Sequence, residues 1–112
     1  MRFEWDEEKS WRNLLKHDVR FGTAVLVFDD PYALTQRDES SDEEERWITI
    51  GSVSPGMVLF VVHTLRDRCE EQIVRIISAR FATLRERKTY EEAKQGTKKR
   101  NRRHRGYERR GY

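Results

Sequence analysis

The sequence predicts an α+β domain, with N-terminal helices, then an antiparallel sheet, then a C-terminal helix packed on that sheet. Three observations carry the prediction. Trp11, Leu14 and Leu15 recur at i, i+3 and i+4, the spacing of one helix face. Three β-branched and apolar runs follow, Arg46–Val53, Met57–Leu65 and Gln72–Phe81, divided by the turn signal Ser54-Pro55-Gly56 and a polar turn at 66–71. The segment from Ala82 or Thr83 to about Lys94 has helix-forming composition, and Gly96 is placed to end it.

Taken in order, Phe3–Trp5 reads as a short strand. Asp6 suits a helix N-cap, with Glu7 and Glu8 in the first turn. The helix is expected to bury Trp11, Leu14 and Leu15 and to present Lys9, Asn13, Lys16 and His17 as a polar stripe, with Asp18 closing it. The run 20–28 fits a buried strand or a second short helix. The helix is preferred, because Phe21, Ala24, Val25 and Phe28 share a face, and Asp29-Asp30-Pro31 then breaks it. Tyr32–Gln36 reads as a strand. Arg37–Glu45, with six acids and two serines, reads as an exposed acidic loop. The near-continuous apolar run Met57–Leu65 suits a central strand covered on both faces.

A length of 112 residues suggests one domain with one modest core. Its charge is unevenly spread. Residues 1–93 hold 14 Lys and Arg against 19 Asp and Glu, and residues 94–112 hold 9 against 1. An acidic body at 1–95 therefore carries a strongly basic tail at 96–112, whose composition predicts disorder when free. No apolar run reaches the roughly 20 residues of a membrane span and no signal peptide opens the chain, so the expected location is the cytoplasm, with no membrane partner. The single Cys69, among Arg66, Arg68 and Glu70, is expected in an exposed turn.

The segment 72–90 is the most informative chemically. A strand that carries Arg75 and Arg80 feeds a helix that puts Glu86 and Tyr90 at i and i+4. Such a unit can surround a phosphodiester, and RNA supplies its own nucleophile, the 2′-hydroxyl. Arginine suits the charged phosphate because it stays ionised and binds two oxygens at once. Arg75 and Arg80 are five positions apart, so on a regular strand they face opposite sides; both reach one phosphate only if a bulge or the strand end turns Arg80. Arg66, in the predicted turn, is exposed enough to reach RNA. His17 is the natural candidate for proton transfer, with Lys16 beside it as a cation for phosphate, and equally fits a helix-ending histidine placed by the dipole. Glu86 can serve as base with Tyr90 positioning or protonating; the alternative is a surface glutamate and a tyrosine packing the helix onto the sheet. His63 alternates with Leu59, Val61 and Leu65 and reads as a core histidine. No His, Cys or carboxylate spacing matches a metal site, and no cofactor is implied.

These residues resemble the BrnT toxins. The first half of the pattern is Phe3-Glu4-Trp5-Asp6, Lys9, Asn13, Lys16-His17, Val19, Phe21, Ala24, Val27-Phe28 and Asp30-Pro31. The second is Arg46, Ile50-Gly51, Val61-Val62-His63-Thr64, Arg66, the run Arg75-Ile76-Ile77-Ser78-Ala79-Arg80, then Ala82, Glu86 and Tyr90-Glu91. The resemblance covers residues 3–91 and implies a RelE-like ribonuclease fold, acting in a type II toxin–antitoxin pair. It implies metal-free RNA cleavage that stops translation. It also implies neutralisation by a BrnA-like ribbon-helix-helix antitoxin, in a heterotetramer of two toxins and two antitoxins that represses its own operon, so that operator DNA is reached only through the antitoxin. Asp18 stands where that pattern has glycine, Leu65 where it has an acid, and His63 where it often has tyrosine. The acidic loop is long and the basic tail lies outside the pattern. Two rivals stand beside this reading: a non-catalytic module that uses the tail and arginines to hold RNA or an acidic protein, and an inactive relic that only represses with an antitoxin.

Overall fold

Five extended segments pair into a single sheet of order β1-β5-β4-β3-β2. They are β1 (Arg2–Glu4), β2 (Leu34–Asp38), β3 (Arg46–Ser54), β4 (Met57–Arg68) and β5 (Glu71–Phe81). The helices are α1 (Glu7–His17), α2 (Phe21–Ala24) with a 3₁₀ continuation over Val25–Asp29, and α3 (Leu84–Gly111). The computed structural model describes the backbone of residues 1–40 and 45–111, and side chains as far as Thr97. Residues 41–44, the centre of the expected acidic loop, lie outside the described residues; Arg37 and Asp38 are the end of β2 rather than loop.

The α+β class stands, with one correction to the expected antiparallel sheet. β1 runs parallel to β5, with Phe3 beside Val74, so the sheet is mixed. Parallel neighbours need a long crossover, and everything between β1 and β5 supplies it. The β4–β5 hairpin turns at Cys69 and Glu70, both with positive φ, as a tight two-residue hairpin turn demands. Cys69 is exposed there, as expected.

One face of the sheet carries Leu59, Val61, Val74, Ile76 and Ala79, and packs on Val19, Phe21, Ala24 and Val27. The helix preferred for 20–28 is present, but its buried face is Phe21, Ala24 and Val27. That is a period of three, the period of the 3₁₀ helix into which the segment tightens. Gly51 permits this close packing: a Cβ there would stand 3.1 Å from the Val27 carbonyl oxygen. The opposite face is covered at one end by α3, through Tyr90 packed on Ile50 and Val58.

α1 reverses the expected burial. Trp11 is 57% and Leu15 70% exposed, while Ser10 and Asn13 are buried. The underside of α1 is therefore polar, and it is held by hydrogen bonds. Ser10 Oγ accepts from the Phe21 amide at 3.0 Å. Asn13 Nδ2 donates to the Val19 and Ala79 carbonyls at 2.8 Å each, and the Ala79 amide donates to Asn13 Oδ1 at 3.2 Å. Asp6 caps the helix, accepting from the Glu8 and Lys9 amides, and Asp18 closes it at φ 60°.

α3 does not stop at Gly96 but continues to Gly111. A glycine inside a helix costs about 1 kcal/mol relative to alanine, and the Lys, Arg, Glu and Gln residues around it are good helix formers. The expected tail at 96–112 falls mostly on positions whose side chains lie outside the described residues. Among the described residues, no helix is long and apolar enough to cross a membrane.

Asn13→Ala should destabilise the domain by about 3 kcal/mol, because it strands buried backbone groups of Val19 and Ala79 without partners. Leu15→Ala should cost less than about 0.5 kcal/mol, as exposed substitutions do. Urea unfolding of the two variants tests the reversal; equal losses would restore the apolar stripe as the buried face.

Candidate functional site

Strand register decides which side chains can act together. Arg75 pairs with Thr64, and Arg80 pairs with Phe60. Thr64 and Phe60 are four apart on β4, hence on one face. The ladder slips between Val62, which pairs with Ser78, and His63, which pairs with Ile76, leaving Ile77 as an extra residue in β5. That bulge reverses the alternation, so Arg75 and Arg80 share a face. Arg66, two residues from Thr64, lies on it as well. It is the end of β4 rather than a turn.

Arg80 is engaged in the free protein. Its Nη1 and Nη2 donate to the two carboxylate oxygens of Glu86 at 2.7 and 3.0 Å, and its guanidinium lies 3.9 Å from the centroid of the Phe60 ring. Glu86 also accepts from the Thr83 amide at 2.9 Å, and Thr83 Oγ1 accepts from the Glu86 amide at 3.2 Å. This reciprocal pair is a capping box that starts α3. The Arg80 guanidinium, against partial burial, holds the Glu86 carboxyl below its ordinary 4.5. In this structure Glu86 braces Arg80 and caps α3.

Tyr90 faces another way. It is fully buried, and its hydroxyl donates to Asp30 Oδ2 at 2.5 Å. Burial first, and the Asp30 carboxylate second, raise its pKa far above the ordinary range. Asp30 also accepts from the amides of Ser52 and Tyr32 at 2.8 and 2.9 Å. Burial works to raise Asp30, and these bonds outweigh it, holding the carboxyl below its ordinary 3.8. Glu86 and Tyr90 therefore do not converge. Tyr90 ties α3 to β3 and to the turn before β2, beneath a cleft of about 530 Å³ that Lys94 also lines.

Lys16 and His17 lie at the end of α1, over the open edge of β5. A shallow pocket of about 220 Å³ there is lined by Lys9, Arg12, Asn13, Lys16, His17, Ile77 and Ser78. Ser78 sits between Arg75 and Arg80 in sequence and on their face, and neither arginine lines this pocket. Sequence reasoning passed over Arg12, Ser78 and Thr64. The cations Lys9, Arg12 and Lys16 follow helical spacing and were legible; the bulge was not. His63 is a buried core histidine, as expected. Its Nδ1 donates to the Thr64 carbonyl at 3.2 Å, and its Nε2 accepts from Thr49 Oγ1 at 2.7 Å. Among the described residues, no three His, Cys, Asp or Glu groups are placed to hold a metal ion.

A family model for the ribonuclease toxin BrnT of type II toxin–antitoxin systems matches residues 5–86. The chain belongs to the BrnT family. The family is one of ribonuclease toxins of type II toxin–antitoxin systems, which implies an antitoxin partner and an RNA target. The crystal structure of the Brucella abortus ribonuclease toxin BrnT shares its fold, with a TM-score of 0.54 and 22% identity over 74% of this chain and 97% of that one. Comparison with curated proteins finds no match.

His63 supplies a pH prediction. Burial lowers its pKa from 6.5, with the Thr64 carbonyl opposing in part. Below 6.5 the unfolded chain binds a proton that the folded chain resists, so stability falls as pH drops from there towards the lower folded value. Thermal melts across pH 5–8 (about that range, bracketing the histidine) should show this slope in the wild type. The slope should vanish in His63→Gln; an unchanged slope would assign it elsewhere.

Proposed function

We propose that this BrnT-family chain is an endoribonuclease that cuts RNA without a metal, by attack of the 2′-hydroxyl on the adjacent phosphorus. The observation that carries the reading is the shared sheet face. Arg66 and Arg75 stand there exposed and without a carboxylate partner among the described residues, and the bulge turns Arg80 to join them. Charge develops on phosphate oxygens in this reaction, and a preorganised donor is worth about 3 kcal/mol of transition-state stabilisation. Lys16 approaches from α1 as a further cation. His17, half-buried beside the bulge, is the nearest imidazole to this face and the candidate to move a proton. Glu86 aims Arg80, and Tyr90 holds α3 in place.

The same exposed cations are where an inhibitor gains most. A BrnA-like antitoxin with a ribbon-helix-helix DNA-binding half would cover them, exclude RNA, and leave its other half free to dimerise. Two toxins with two antitoxins would then form a heterotetramer that represses the operon, in the cytoplasm where the target RNA lies. The second reading, a non-catalytic RNA-binding module, draws on α3, whose helix continues through the basic segment from Lys94 onward.

Purified protein and a defined RNA separate the two. Cleavage should persist in EDTA and leave a 2′,3′-cyclic phosphate or its 3′-phosphate product; activity abolished by chelation and restored by Mg²⁺ would overturn the metal-free mechanism. Arg75→Ala and Arg80→Ala should each lower cleavage by about 10²- to 10³-fold, the loss typical of one transition-state donor. Glu86→Gln should cost no more than about tenfold and leave the shape of the pH–rate profile intact. A general base there would instead cost roughly 10²- to 10⁴-fold. Binding without cleavage, lost on truncation of residues 96–112, would favour the binding module.

A further inference from the structure

We infer that the hydroxyl of Thr64 is a phosphate-binding group, seated at the centre of the arginine-lined end of the sheet. The inference rests on the ribonuclease reading above and adds a residue which that reading does not use.

Thr64 is 4% exposed, and its Oγ1 is buried with no hydrogen-bond partner. A buried hydroxyl left unpaired costs about 1–3 kcal/mol, and valine has nearly the same shape without the cost. Its neighbours explain what the hydroxyl can do. On β5 its partner across the ladder is Arg75. On β3 the register, carried one residue on from Trp47 beside His63, sets Arg46 next to it. Along β4 the next side chain on the same face is Arg66. Three arginines thus border one hydroxyl, and among the cross-strand partners of the described residues the acids on this face stand a strand further out: Glu4 beside Arg75 and Asp38 beside Arg46. A position bordered by cations, with an uncommitted O–H donor at its centre, has the chemistry of a phosphodiester site. Arg66 and Arg75 are exposed, so their heads can move onto the phosphate. The side chains covering Thr64 must lift for its oxygen to reach the ligand.

Thr64→Val removes the hydroxyl and keeps the shape; Thr64→Ser keeps the hydroxyl. The probes are an RNA oligonucleotide and its uncleavable 2′-O-methyl form. Thr64→Val should melt at or above the wild-type temperature. It should bind the 2′-O-methyl probe about tenfold more weakly, the loss expected for one hydrogen bond to a charged group. Its salt dependence of binding should match wild type because no charge is lost, whereas Arg75→Ala should flatten that dependence. Thr64→Ser should stay within about threefold of wild type, since the donor is retained. Wild-type affinity in Thr64→Val would overturn the inference. So would joint loss of stability and binding, which would make the hydroxyl structural. Wild-type protein that neither binds nor cuts RNA would sink the ribonuclease reading and this site with it. Wild-type protein that cuts RNA, with Thr64→Val cutting equally well, would sink this site alone.

Discussion

The carboxamide of Asn13 stands in for a missing strand. β1 pairs with β5 only as far as Arg75, so among the described residues no strand lies beside the outer edge of β5 beyond that point. At Ala79 the side chain of Asn13 both accepts from the amide and donates to the carbonyl, the two bonds a neighbouring backbone would make. Between the end of β1 and this clip lie Ile76, Ile77 and Ser78, the bulge and its two neighbours. A full-length edge strand would cover them. The polar clip satisfies the edge at one residue and leaves the adjoining edge open, beneath the cationic end of α1.

That arrangement explains where the sequence could be read and where it could not. Strands β3, β4 and β5 and the turn at Pro55–Gly56 follow from β-branched runs and turn chemistry, and they appear within a few residues of their expected limits. The Asp6 cap and Asp18 closure follow from side-chain chemistry alone. The face of α1 did not follow. Trp11, Leu14 and Leu15 satisfy an apolar-stripe rule, but Ser10 and Asn13 are turned inward because the backbone they meet needs partners. Periodicity counts apolar residues and is blind to unsatisfied carbonyls. The segment 21–29 was legible as helical, yet its face shifted because it winds to a period of three.

For the site, residue types were legible and their grouping was not. Arg75 and Arg80 read as opposed, and only a bulge at Ile77 unites them; nothing in the identity of isoleucine announces a bulge. Glu86 and Tyr90 share a helix face by spacing, yet act on different partners. One braces Arg80 and the other is drawn into Asp30. The bland reading of Tyr90, a tyrosine packing the helix onto the sheet, describes its geometry.

The polar underside of α1 has a thermodynamic consequence. Apolar burial carries most of the positive heat capacity of unfolding, and polar exposure works against it. A helix seated through Ser10 and Asn13 adds little to that heat capacity, so its attachment does not fade on cooling as an oil-like contact does. Hydrogen bonds are also directional where apolar contact is not. A slip of α1 by one turn would leave Ala79 bare, so the helix has one seat, and these bonds fix where Lys16 and His17 stand over β5.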